Sequence, residues 1–204
     1  DAASLMADNG NYFRGGDMHY VDQNGDHRID SKDRVALGSA APDFFGGFYT
    51  QFKYKGFALG AEFSYSKGNM AYNAVRNQLE GMNTLGNQSI AVLNRWSLDG
   101  QVTNMPRVQH NDPYRSTSFS ERWLEDASYL RMKSVTLSYS FDKTVLNFFR
   151  SGTLYVSGEN LLTATKYLGL DPEFSYSYGE TSQGLDYAKM VQPKSVKFGV
   201  NLKF

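Results

Sequence analysis

Polar and apolar residues alternate along five stretches of this sequence. In the last ten residues, Val196, Phe198, Val200, Leu202 and Phe204 fall on one side of an extended strand. Ser195, Lys197, Gly199, Asn201 and Lys203 fall on the other. Residues 57–66 repeat the pattern, with Phe57, Leu59, Ala61, Phe63 and Tyr65 opposed to Ala58, Gly60, Glu62, Ser64 and Ser66. Residues 48–54 set Phe48, Thr50, Phe52 and Tyr54 against Tyr49, Gln51 and Lys53, and the intervening Lys55-Gly56 is a turn signal, so the two stretches predict a hairpin. A strand over 129–141 places Val135, Leu137, Tyr139 and Phe141 opposite Ser134, Thr136, Ser138 and Ser140. A strand over 153–161 places Leu154 and Val156 opposite Tyr155, Ser157 and Glu159.

The connections carry a second pattern. Lys55-Gly56 and residues 142–152, with the apolar Leu146, Phe148 and Phe149, are short; residues 67–127 and 162–193 are long and polar. Within the first long stretch, residues 70–79 and 89–96 read as short helices. Loops of this length are uncommon in compact soluble domains. Bacterial outer-membrane barrels alternate short periplasmic turns with long extracellular loops, and their strands alternate apolar and polar. The expected fold is therefore all-β, an antiparallel transmembrane barrel segment with long extracellular loops and a periplasmic C-terminus. The smallest bacterial barrels need about eight strands. An open sheet edge in hydrocarbon leaves backbone groups unsatisfied at several kcal/mol each. Five strands therefore predict the C-terminal wall of a larger barrel, whose other strands come from a preceding segment. Residues 1–47 read as an extracellular loop and 48–204 as barrel strands and their loops. The opening Asp-Ala-Ala-Ser has a mid-sequence look, which predicts a fragment or a processed product.

Composition agrees with this picture. The 204 residues carry 14 Tyr, 14 Phe, 2 Trp and 19 Gly, at a mean hydropathy of −0.50. A polar chain rich in aromatic rings suits a barrel with aromatic girdles outside and polar residues inside. No apolar run approaches the ~18 residues a transmembrane helix needs. The absence of Cys removes disulfides, thiolate zinc sites and Cys nucleophiles. With 21 basic and 21 acidic residues, the chain offers no basic excess for nucleic acid.

One motif has metal-ligand spacing. Asp22, Asn24, Asp26 and Asp33 stand at positions 1, 3, 5 and 12 of a calcium loop, with the Arg28 carbonyl at position 7 and Asp30 at position 9, where it would act through water. Ile29 fits the apolar position 8. Against calcium, His27 occupies the sharp-turn position that favours Gly, position 12 is the shorter Asp, and no helix pair flanks the loop. The alternative is an Asx-rich turn held by its own side-chain to backbone bonds. A bound Ca2+ would be structural. The three histidines, His19, His27 and His110, stand beside no plausible nucleophile, so no catalytic site is expected. Glu121, Glu125 and Asp126 read as a solvated loop ahead of a strand. Tyr167, Tyr176, Tyr178, Tyr187, Trp96 and Trp123 would serve either to stack on a ligand or as an interfacial belt.

Four stretches together resemble the C-terminal region of the SusC/RagA family of TonB-dependent outer-membrane transporters. They are Tyr20-Val-Asp-Gln-Asn-Gly-Asp-His-Arg-Ile-Asp30 with Pro42-Asp-Phe-Phe-Gly-Gly-Phe48; Arg122-Trp-Leu-Glu-Asp-Ala-Ser-Tyr-Leu-Arg-Met-Lys-Ser-Val-Thr-Leu-Ser-Tyr139; Leu154-Tyr-Val-Ser-Gly-Glu-Asn-Leu-Leu-Thr163 with Lys166-Tyr-Leu-Gly-Leu-Asp-Pro-Glu173; and the terminal strand. The departures are His27, where the family has Gly, and a divergent 187–193. The resemblance implies a barrel of about 22 strands, the plugged class, set in outer-membrane lipid. It implies a plug and a TonB-contacting segment outside this chain, a SusD-like surface lipoprotein as partner, and import of oligosaccharides or peptides. The rival reading is a soluble extracellular calcium-binding β-module. It requires the apolar strand faces to pack beneath a second sheet.

Overall fold

The computed structural model describes residues 4–142, 150–174 and 183–203. Leu146, Phe148, Phe149, Tyr176, Tyr178 and Phe204 lie outside them. In chain order the elements are β1 (Met6–Ala7), β2 (Arg28–Ile29), β3 (Phe44–Tyr54), β4 (Phe57–Lys67), β5 (Met70–Asn73), α1 (Ala74–Glu80), β6 (Leu124–Asp126), β7 (Tyr129–Asp142), β8 (Ser151–Thr165), β9 (Leu185–Asp186) and β10 (Ser195–Lys203). The chain divides into two compact units. One comprises residues 39–71, 126–184 and 189–204, and the other residues 1–38, 72–125 and 185–188.

The first unit is built on an antiparallel five-stranded sheet ordered β10-β8-β7-β4-β3. These are the five strands the alternation predicts. Lys55 and Gly56 both take positive φ, 45° and 85°, the two-residue hairpin geometry whose twist matches the flanking strands. Two boundaries move. β3 begins at Phe44 rather than 48, because Gly46 and Gly47, loop signals in isolation, pair with Tyr65 and Ser64. β8 runs on to Thr165 rather than ending at 161. Its pairing with β7 shifts between Met132 and Ser134, leaving Lys133 opposite Asn160 and Leu161, and Asn160 takes φ 51°. Against β4 the register shifts at the same place, with Lys133 the extra residue between the partners of Glu62 and Phe63, and this bulge switches the outward side of β7 from even positions (Leu130, Met132) to odd ones (Val135, Leu137). A strict period of two cannot follow such a switch.

Register turns the separate alternations into continuous rows. Phe52, Leu59, Leu137, Val156 and Phe198 are successive partners across the sheet, and Tyr54, Phe57, Tyr139, Leu154 and Val200 form the next row. Cross-strand aromatic pairs sit on the same face, Phe57 with Tyr139 at 4.6 Å in the second of these rows and Phe48 with Phe63 at 4.8 Å between centroids in a further one. Each such pair contributes about 0.5–1.5 kcal/mol beyond area burial. Among the described residues no second layer covers the rows: Phe57 is 51% exposed, Leu137 45% and Phe198 81%. Each large apolar side chain gains roughly 1.5–3 kcal/mol on leaving water, so an ordered apolar face of this extent belongs in hydrocarbon. The packing required by the soluble-module reading is not found. The opposite face is polar: Gln51, Gly60, Thr136, Ser157 and Lys197 form one of its rows, and the Thr136 and Ser157 hydroxyls lie 2.8 Å apart. The sheet is open at β3 and β10, as a partial barrel wall must be.

The second unit corrects the reading of residues 67–127 as a plain polar excursion. Within it, 72–125 pack with the first 38 residues. Within 67–127, helix is limited to α1 and to 3-10 turns at Ile90–Asn94 and Glu121–Trp123, while Met70–Asn73 is strand. Asn73 stops the helix from starting earlier: its side chain accepts the Arg76 N–H at 2.9 Å, an N-cap worth about 1 kcal/mol. Met82, Val92 and Met105 form a small apolar core.

Candidate functional site

Three constellations stand out. The first is the calcium-like loop. Asp22 Oδ1 accepts the Gly25 N–H at 2.7 Å and Oδ2 the His27 N–H at 2.8 Å. Asn24 Oδ1 accepts from the Asp26 N–H and Asp26 Oδ1 from the Arg28 N–H, both at 2.9 Å. Asp30 and Asp33 form a reciprocal capping box around residues 31–33, and Asp33 also accepts the Gln23 N–H at 2.9 Å. His27 makes the sharp turn with φ 62°, the role foreseen for Gly. The Arg28 N–H and then the Asn24 side chain hold the Asp26 carboxyl below its ordinary range. All six candidate residues thus share one loop, folded as the self-bonded Asx turn. Among the described residues no three His, Asp or Glu groups gather around a point that would hold a metal.

The second constellation lies on the polar face of the sheet, and sequence reasoning passed over it. Arg131, almost fully buried on β7, donates to Thr163 Oγ1 at 3.0 Å and pairs with Asp171. Its Nη1 stands 3.0 Å from Glu173, whose carboxylate also takes Lys133 Nζ at 2.6 Å. Asp171 accepts the backbone N–H of Glu173 at 2.9 Å and of Gln192 at 3.2 Å. Burial raises the Asp171 carboxyl, but Arg131 and the two N–H donors outweigh it, so the net shift is below the ordinary carboxylate range. The arrangement is a clamp that fixes the connection after β8 onto β7. Its sequence signal is Arg131 and Lys133 in a strand otherwise rich in Ser and Thr, answered by Asp171 and Glu173.

The third lies in the second unit. Glu125, expected in a solvated loop, is buried; Arg76 donates to it at 2.8 Å and to Glu80 at 3.0 Å, and Asn73 reaches it at 3.3 Å. Trp123 is only 1% exposed, with the Arg122 and Arg76 guanidinium carbons 4.9 and 5.6 Å from its ring centre. Tyr167, in the first unit, is also buried, against Ala71 and Ala127. Neither ring is free to stack on a ligand. Burial and then the Arg76 charge lower the Arg122 pKa. Asp17 pairs with Arg107 at 2.6 Å and accepts from Gln109. Beside it, Trp96, His19, Gln101, Asn104 and Arg122 line a recess of about 380 Å³. Trp96 lies so flat on Gly16 that an added Cβ would stand 2.4 Å from its ring. The recess combines an aromatic surface with convergent polar groups, which suits a polar oligomer.

No protein-family model matches the chain. The TonB-dependent receptor P3 of Formosa agariphila is 32% identical over 197 residues, covering 93% of this chain and 19% of that protein. The TonB-dependent receptor SusC of Bacteroides thetaiotaomicron is 26% identical over 188 residues, covering 91% of this chain and 17% of that protein. Among solved structures, the RagAB peptide transporter superposes with a TM-score of 0.73 at 28% identity, over 86% of this chain and 19% of that one. The RagAB peptide importer in its open-open state gives 0.69 at 28% identity, over 91% and 20%. The chain spans about a fifth of the length of these relatives. Ordered apolar rows on an unclosed antiparallel sheet, shared with these proteins in sequence and in fold, make this chain a segment of a TonB-dependent outer-membrane receptor of the SusC/RagA family.

Proposed function

We propose that the segment supplies barrel wall and extracellular loops to an importer of oligomeric nutrients, glycans or peptides. The importer works with a SusD-like surface lipoprotein and is energised through a plug and TonB. The observation that carries this reading is the continuous apolar row structure facing away from a polar sheet surface. Transport is passive at this segment: the rows hold the wall in lipid, the polar face borders the lumen, and the C-terminus points to the periplasm. The loop unit exposes Leu85, Ile90, Leu93 and Val102. Apolar side chains exposed on a loop unit are available to a protein partner, and the lipoprotein is the partner assigned to them. The recess around Trp96 is where the oligomer would make contact. Uptake of labelled glycans and peptides by cells carrying the full-length receptor, with and without the lipoprotein, tests the proposal. Growth on every oligomer unaffected by loss of the receptor would overturn it.

A structural Ca2+ in the 22–33 loop belongs to the same proposal. Each carboxylate oxygen that accepts one N–H keeps a second lone pair, so the turn leaves acceptors that a small inward movement would direct at one ion. Calcium would then raise the melting temperature of the full-length receptor, and Asp22→Ala would abolish that rise. No rise at millimolar calcium would remove the ion from the proposal.

A further inference from the structure

The outward face of the sheet does not end in grease. At the edge reached by the long connections, the row Gly46, Tyr65, Leu130, Ala164 is the last apolar one. One step further along the same face stand Phe44 and its partner Lys67. Lys166 lies two residues beyond Ala164, which puts it on the same side. Phe44, Tyr65, Lys67, Leu130, Ala164 and Lys166 line one shallow groove of about 550 Å³, with Asp126 and Ser128 at its rim. Asp126 lies 3.8 Å from Lys67, beyond hydrogen-bond length, and both side chains are substantially exposed. Two ammonium groups against one carboxylate leave the rim with a net positive charge.

We propose that this groove binds a phosphate-bearing glycolipid of the outer leaflet, with acyl chains along Phe44, Tyr65 and Leu130 and the phosphate between Lys67 and Lys166. The inference rests on the reading of the sheet as a membrane wall. Two observations choose the occupant. The groove continues the lipid-facing rows without a break, so a molecule in it has its apolar part in hydrocarbon. The charged end lies at the edge bearing the long connections, which is the extracellular side of a bacterial barrel. A simple snorkelling lysine would need no second cation across a groove; Lys67 and Lys166 flank the same one.

The test uses the full-length receptor in detergent and native mass spectrometry, with diphosphorylated lipid A and the same lipid stripped of phosphate as probes. Two lysines at an anionic headgroup favour the phosphorylated form by about thirtyfold. Lys67→Gln/Lys166→Gln removes this preference, while Lys53→Gln/Lys55→Gln, at the opposite edge, keeps it. Equal retention of both lipids by the unmodified receptor overturns the site without any variant having to fold. An undiminished preference in the Lys67/Lys166 double variant overturns it as well. A receptor that stays folded and dispersed with no detergent would instead sink the membrane-wall reading, so the two failures are distinguishable.

Discussion

The sheet and the loop unit both expose large apolar side chains, and they do so differently. In the sheet these side chains stand in register, partner beside partner across five strands, above a face of hydroxyls and charges. In the loop unit Ile90 and Leu93 project from a 3-10 turn and Leu85 and Val102 from irregular backbone, with no strand register to align them. That unit carries ion pairs around Arg76, Glu125 and Asp17 beside its small apolar core. The contrast shows that exposure alone does not identify a lipid surface; cross-strand order does. It also shows why a mean hydropathy of −0.50 describes neither region, since the average merges a wall meant for hydrocarbon with a unit meant for water.

The comparison breaks most readily at the one place where the sheet borrows the loop unit's way of holding together. Arg131→Ala leaves Asp171 and Glu173 facing a buried gap. Removing one partner of such a pair costs about 3–5 kcal/mol. Limited proteolysis of the full-length receptor should show faster cleavage beside Asp171 and Glu173 than in the unmodified protein. An unchanged digestion pattern would mean that the clamp is dispensable. Leu137→Arg probes the ordered rows directly. An Arg near the bilayer midplane costs roughly 2–4 kcal/mol, so the folded fraction in vesicles should fall steeply, whereas Leu137→Phe should fold normally. Equal folding of the Arg variant would deny that this face meets lipid.

Acid offers a finer cut. Because the folded Asp171 carboxyl lies below its ordinary range, its contribution is complete above the unfolded value near 4 and fades as pH falls through the folded value. Cleavage beside Asp171 and Glu173 should therefore speed up only below about pH 4, and in Asp171→Asn it should no longer depend on pH in that range. The smallest effect belongs to the loop unit. Asn73→Ala removes the cap of α1 and should cost about 1 kcal/mol, read as faster hydrogen exchange over 74–80 with the sheet amides unaffected.

These two regions were not equally legible in the sequence. The alternation of β10 and the hairpin turn at Lys55-Gly56 depend on near neighbours, and a period of two reveals them. The bulge is invisible to that reading, because Lys133 is one more polar residue in a polar stretch until β8 is laid beside it. The loop unit was least legible, since its bonds close over long distances: Asp17 meets Arg107 and Gln109 some ninety residues away. Trp123 and Tyr167 read as either ligand-stacking or interfacial-belt rings, because such rings and a ring that fills a small core have the same composition. Glu125 looked solvated because Arg76, which buries it, lies 49 positions earlier. The six loop residues from Asp22 to Asp33 share a spacing that suits a backbone turn and an ion equally well.

Lys133, the extra residue of β7 between the partners of Glu62 and Phe63, has a consequence for anyone building hybrids between relatives. It acts as a phase marker, since every position of β7 on its N-terminal side owes its inside-or-outside assignment to that single insertion. Grafting the outer half of this strand with Lys133 paired regularly, in a wall that does not accommodate the bulge, would present Arg131 to the bilayer and hide Leu130 and Met132 in the channel. The tolerable seam for a chimera therefore lies at Tyr129 or beyond Ser134, never between them.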